Sequence, residues 1–141
     1  EKNAVIITHP LPEINIIPFQ FRQLFQNLIS NSLKFSREGI QPQIEIRADI
    51  IKGEKINRTE INRRQNYYQI TLSDNGIGFD PVFKSRIFEL FQRLHGKSEY
   101  YGTGIGLAIC KKIAENHHGF ITAEGRPGEG ATFNIFIPIS A

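Results

Sequence analysis

Neither Met nor Trp occurs in this chain of 141 residues, and there is a single Cys. One thiol excludes an internal disulfide and any metal site built from several cysteines, and it fits a reducing compartment. No apolar run approaches the ~20 residues that a membrane helix needs. The opening EKNAVIITHP is no secretion signal. Without Met the chain also lacks an initiator, so it is expected to be a domain of a longer protein, on the cytoplasmic side of the cell. Repeats and low-complexity segments are absent too, which leaves one ordinary globular domain over residues 1–141.

The hydrophobic share of 40% includes 11 Phe, enough to bury a core and too much for a disordered chain. The formal charge is +3, and its source is local. The segment KGEKINRTEINRRQN (52–66) has five Lys/Arg and two Glu, and removing them from totals of 17 and 14 leaves twelve of each sign. Such a run can contact nucleic acid or an anionic membrane. It lacks interleaved aromatics, however, so a solvated loop between two strands is the expectation, with no nucleic-acid partner.

Periodicity places the elements. AVIIT (4–8) reads as a short strand, and three prolines delay the next element. Phe21, Leu24, Phe25, Leu28, Ile29 and Leu33 then follow the spacing of an amphipathic helix running from Phe19 to about Ser36. QIEIRADII (43–51) and YYQITLS (67–73) read as strands, PVFKSRIFELFQRL (81–94) as a helix with Pro81 at a permitted early position, and HGKSEYYG (95–102) as a mobile loop. TGIGLAICKKIAENHHG (103–119) reads as a helix closed by Gly119 at its C-terminal cap. FITAEG (120–125) and ATFNIFIP (131–138) read as strands joined by a turn. Helices packed on one face of a mixed or antiparallel sheet follow from this order.

Four clusters hold the polar chemistry. Asn27, Asn31 and Lys34 fall on one stripe of the first helix, where an amide oxygen can ligate Mg²⁺ and the ammonium can meet a phosphate. Water-facing amides at a helix edge are the plainer alternative. DNGIGFD (74–80) follows a strand. Asp74 is an acceptor for an exocyclic amine, and Gly76 and Gly78 permit a close backbone approach, although Asn-Gly is equally a turn signal. In YYGTGIGLAIC (100–110) the glycines 102, 104 and 106 follow a polar loop and give G-x-G-x-G, which is not the dinucleotide fingerprint, and no Walker lysine follows. A glycine-rich loop feeding a helix N-terminus remains, a place that favours anions; close helix packing would need the same glycines. Finally GEGATF (128–133) puts Thr132 at the start of the last strand, where it serves a ligand or only a hairpin.

Taken in order, these clusters resemble the ATP-binding catalytic domain of sensor histidine kinases. QLFQNLISNSLKFS resembles that family's N box, DNGIGFD its first glycine box, IFELFQRLH its F box, GTGIGLAI its second glycine box and GEGATF its last glycine-Thr element. The resemblance spans about residues 19–133. It implies the Bergerat (GHKL) fold, a two-layer α/β sandwich of about three helices on a mixed, mostly antiparallel sheet, which binds ATP with Mg²⁺ between the N-box helix and a lid. By the same resemblance Asn31 would ligate Mg²⁺, Asn27 would support the triphosphate and Lys34 would contact phosphate. Phe35 would lie near the adenine, Asp74 would recognise its amine, and Gly76 and Gly78 would let the base in. Arg93 would reach the phosphates, Gly102, Thr103, Gly104, Gly106 and Leu107 would wrap them, and Thr132 would help complete the adenine pocket.

Two departures narrow the reading. ATP-hydrolysing relatives carry Glu four residues before the magnesium Asn; here that residue is Asn27, which cannot take a proton at neutral pH. Hydrolysis is disfavoured, and transfer to a nucleophile on another domain remains. Nor do His9, His95, His117 or His118 sit in a phosphoacceptor pattern. The acceptor is therefore expected on a separate dimerisation domain, with a response-regulator receiver downstream, a homodimeric full-length protein and a monomeric isolated domain. The competing readings are a non-enzymatic module of the same fold and a Ser/Thr kinase of the anti-sigma type.

Overall fold

The structure, a computed structural model, describes residues 4–10, 14–56, 58, 61, 63–83, 87–88 and 105–139. They form β1 (Val5–Thr8), α1 (Pro18–Lys34), β2 (Gln43–Lys52), β3 (Asn66–Asp74), α2 (Ile105–Asn116), β4 (Phe120–Arg126) and β5 (Gly130–Pro138). The strands make one sheet in the order β1-β2-β3-β5-β4, with β1 parallel to β2 and every other pair antiparallel. A parallel pair cannot be closed by a tight hairpin, so the chain must cross over between β1 and β2, and α1 is that crossover. This is the expected sandwich on a mixed, mostly antiparallel sheet. Two α-helices are described. Of the helix expected at 81–94, Pro81–Phe83 is a single 3-10 turn and Ile87 and Phe88 are buried; the rest lies outside the described residues. Among the described residues no helix is long and apolar enough to cross a membrane.

Phe21, Leu24, Leu28 and Ser32 are the buried residues of α1, a stripe stepping by three and four residues that keeps one face on the sheet. Leu24 and Leu28 are fully buried, worth about 1.5–3 kcal/mol each over exposure. Pro18 opens the helix, where its missing N–H would have had no partner. Ile17, the residue before it, lacks a capping side chain, and its N–H instead donates to Nε2 of His117 at 2.9 Å. Nδ1 of that ring faces the carbonyl of Ile113 at 2.8 Å, so Nδ1 carries the hydrogen. The imidazole stands edge-on to Phe21. With Gln20 opposite Asn116, Leu24 opposite Cys110 and Asn27 opposite Gly106, α1 and α2 lie side by side and antiparallel.

The end of α2 corrects one expectation. The left-handed residue is His118 (φ 64), with its N–H on the carbonyl of Glu115 and the Gly119 N–H on that of Ala114, both at 2.9 Å. That is the paired Schellman closure with histidine at C′. Gly119 sits one residue beyond, and it is needed for another reason: a Cβ there would lie 1.8 Å from the carbonyl oxygen of Phe136.

Cys110 is fully buried, and burial pushes its thiol up to about 12. The folded protein should therefore resist alkylation at pH 8 and be labelled at one site once unfolded, as mass spectrometry would show. The sign of the linkage follows. A thiol whose folded value is raised stabilises the fold below the unfolded value near 9 and loses that contribution as pH climbs toward 12. Rapid labelling of the native chain would contradict the buried placement.

Candidate functional site

Asp74 is the last residue of β3, and three donors hold its carboxylate. Oδ1 accepts the backbone N–H of Gly76 (2.9 Å) and of Ala131 (3.1 Å), while Oδ2 accepts the hydroxyl of Ser32 (2.7 Å). These donors belong to the loop after β3, the start of β5 and α1, so the carboxylate joins the helix layer to the sheet layer. A carboxylate offers about four acceptor positions. Three are filled, Asp74 is only half-buried, and one position on Oδ2 is left for a donor from outside.

The loop that follows is stitched down by backbone. Ile77 N–H donates to the carbonyl of Phe35 (2.9 Å) at the end of α1, and Gly128 N–H to that of Ile77 (2.7 Å). Where side chains would stand on Gly76 and Gly78, the carbonyls of Phe35 and Arg126 already lie at 2.6 and 2.2 Å, so these glycines first of all let the chain approach itself. Asn75 is turned away from Asp74: its amide accepts from Gln43 N–H (2.8 Å) and donates to the Gln41 carbonyl (3.0 Å), while Arg37 holds its backbone oxygen at 2.9 Å.

Asn27, Asn31 and Lys34 do share one stripe of α1, beside the buried face. Asn27 and Asn31 are half-buried and Lys34 is exposed. Asn27 is already engaged, donating from Nδ2 to the Gly106 carbonyl at 3.4 Å, which sets the first turn of α2 against α1. Gly106 and Leu107 lie in that first turn, where backbone N–H groups lack intrahelical acceptors; the Leu107 side chain itself is buried in the core. Thr132 is placed elsewhere. It is paired with Ser73, and the two hydroxyls are 3.2 Å apart. Since successive side chains alternate across a strand, its hydroxyl is on the opposite sheet face from Asp74, and the residue in register with Asp74 is Ala131. Arg93, Gly102, Thr103, Gly104 and the expected lid at 95–102 lie outside the described residues.

Ser32 was not singled out from the sequence. Its signal was present, because it continues the 21/24/28 stripe, and a hydroxyl at a core position 3% exposed needs a partner.

A profile of the family described as histidine kinase-, DNA gyrase B-, and HSP90-like ATPase matches residues 17–141. The chain belongs to this ATPase family. Cyanobacterial phytochrome A of Nostoc sp. (strain PCC 7120 / SAG 25.82 / UTEX 2576) is 49% identical to it over 139 residues, and Phytochrome-like protein Cph1 of Synechocystis sp. (strain ATCC 27184 / PCC 6803 / Kazusa) is 45% identical over 139. Both matches take in 99% of this chain but 16% and 17% of the relative, so the chain spans about a sixth of the length of these curated relatives. Among solved structures, full-length ShkA in complex with AMPPNP superposes with a TM-score of 0.70 at 27% identity, covering 99% of this chain and 27% of that one. The mycobacterial sensor histidine kinase MprB shares the fold, with a TM-score of 0.72 at 20% identity over 96% of this chain and 82% of that one. In this ATPase-family domain Ile87 and Phe88 pack inward, with Phe88 edge-on to Phe133 at 6.2 Å.

Proposed function

We propose that this domain binds Mg-ATP and serves as the catalytic half of a histidine kinase, passing the γ-phosphoryl group to a histidine on a separate dimerisation domain. The observation that carries the reading is the Asp74 carboxylate, fixed by three donors with one acceptor position remaining. The exocyclic amine of adenine is a donor of the right kind.

The other residues fit a triphosphate leading away from that base. Lys34, at the last turn of α1, meets phosphate as a point charge. The first turn of α2, set in place by Asn27, offers N–H groups and the positive end of the helix to anionic oxygens. For a metal, Asn31 supplies a neutral amide oxygen. Among the described residues no three His, Cys, Asp or Glu side chains gather, so a Mg²⁺ ion would complete its shell with phosphate oxygens and water, which suits its chemistry. Bound Mg²⁺ neutralises charge on the phosphates. By the family resemblance Arg93 and residues 102–104 add to the phosphate side. With Asn27 where a general base would stand, the domain positions ATP for an incoming nucleophile without activating water.

The test joins the domain to its upstream dimerisation segment, with labelled ATP supplied. An acid-labile, base-stable label on histidine is the expected product. Label on serine would point to the anti-sigma type of kinase, and no heat with Mg-ATP in calorimetry would mark a non-enzymatic module. Ser32→Ala is expected to weaken ATP binding about 3- to 10-fold with little change in melting temperature, because the carboxylate loses the hydroxyl that orients Oδ2. Unchanged affinity would show that the hydroxyl does not orient it.

A further inference from the structure

The +3 charge of the chain resides in residues 52–66, and the structure shows that the two ends of this segment, at Lys52–Gly53 and Gln65–Asn66, are built onto the sheet. Lys52 at the end of β2 is in register with Asn66 at the start of β3. Gly53 N–H donates to Gln65 O (2.8 Å), Gln65 Nε2 to Ile139 O (2.6 Å) and Ile139 N–H to Asn66 O (2.9 Å). The Arg58 guanidinium lies 4.2 Å above the Phe120 ring. Lys52, Arg63 and Arg64 line one open pocket with Glu54 and Asn66. Lys52, Lys55 and Arg63 make no ion pair with a described carboxylate, although Glu54 lines the same pocket. Lys52, Arg63 and Arg64 are thus gathered at one open pocket, and all three are exposed.

This pocket cannot belong to the nucleotide site. β3 runs nine residues from Asn66 to Asp74, about 27 Å at ~3.4 Å per residue, so a nucleotide seated on Asp74 does not reach the other end. Guanidinium and ammonium groups recognise carboxylates and phosphates alike, and two features select between them. Single-stranded nucleic acid needs aromatic faces for stacking, and here the Phe120 ring is already engaged by Arg58 and by Phe136. Glu54 among the cations repels a continuous phosphate backbone, whereas carboxylates spaced along a peptide can avoid it.

We propose that this end of the sheet docks an acidic segment of a partner protein, with Asp or Glu carboxylates on Lys52, Arg63 and Arg64. The probe is a short peptide whose glutamates are spaced by glycine and serine, titrated into the 141-residue chain at low salt and again at ~0.3 M, where surface charges are screened. Lys52→Gln/Arg63→Gln is expected to weaken the peptide about tenfold or more. Lys111→Gln/Lys112→Gln, which removes the same charge from the exposed side of α2, should change it by less than about twofold. Mg-ATP binding should be unchanged in both, which also reports an intact fold. Equal weakening by the two double variants would overturn the proposal, since net charge alone would explain the binding. So would an absence of peptide binding, or tighter binding of a single-stranded oligonucleotide of equal charge.

Discussion

Asp74→Asn is expected to abolish ATP binding while the domain stays folded. The new amide can keep its oxygen toward the N–H groups of Gly76 and Ala131, and the Ser32 hydroxyl can reverse to accept from the amide nitrogen. The fold therefore loses little. The position left for a ligand now offers N–H where a carboxylate oxygen stood, so an adenine amine meets a donor instead of an acceptor. Losing a charge-assisted bond of about 1.5–3 kcal/mol and leaving a buried donor unpaired should cost about 100-fold or more in affinity. Calorimetry with ATP measures it, and inorganic triphosphate with Mg²⁺ supplies the contrast, because its binding draws on the phosphate side alone. An Asn variant that binds ATP within about threefold of the parent would remove Asp74 from base recognition.

Gly130→Ala should produce the largest loss of stability, and it acts through the same corner of the fold. Gly130 has φ 140, and a Cβ would lie 2.0 Å from the Asp74 carbonyl oxygen. The Cβ position is fixed by the backbone and the oxygen it meets is a backbone atom, so no rotamer change relieves the overlap. Backbone strain of about 1–3 kcal/mol adds to overpacking of similar size, for roughly 3–5 kcal/mol. In a domain of this length that lowers the melting temperature by roughly 10–15 °C. A thermal scan of the variant decides it, and a shift under about 3 °C would mean that β3 and β5 can part at this point without penalty.

The elements were legible wherever one period dominated. Helix α1 follows from Phe21, Leu24 and Leu28, and β2 from its alternating Ile and charged residues, because burial on one face of each imposes that spacing. The parallel pairing of β1 with β2 was not legible, since it depends on where α1 lands on the sheet. The candidate site was expected from residue types whose chemistry is exposed in sequence: Asp74, the Asn stripe and the glycines. Ser32 escaped because a hydroxyl on a core stripe reads as a flaw in the pattern until its partner, 42 residues away, is seen. The face on which Thr132 lies, away from Asp74, was not legible for a related reason. Strand parity assigns it to the face of Ser73, and parity becomes decisive only when the register is known. Gly119 looked like a helix cap because glycine commonly is one, whereas His118 takes the left-handed turn and Gly119 makes room for Phe136.

The anchoring of Asp74 also dictates when the site can exist during folding. Its three donors lie 2, 42 and 57 residues away in sequence, so the carboxylate is not set until α1 has docked and β5 has inserted between β3 and β4. Contacts of such separation form late, after the closure entropy of the intervening chain has been met. Nucleotide binding is thus a property of the finished fold. ATP present during refolding should leave the folding rate unchanged, slow unfolding, and raise the melting temperature in proportion to the logarithm of its concentration.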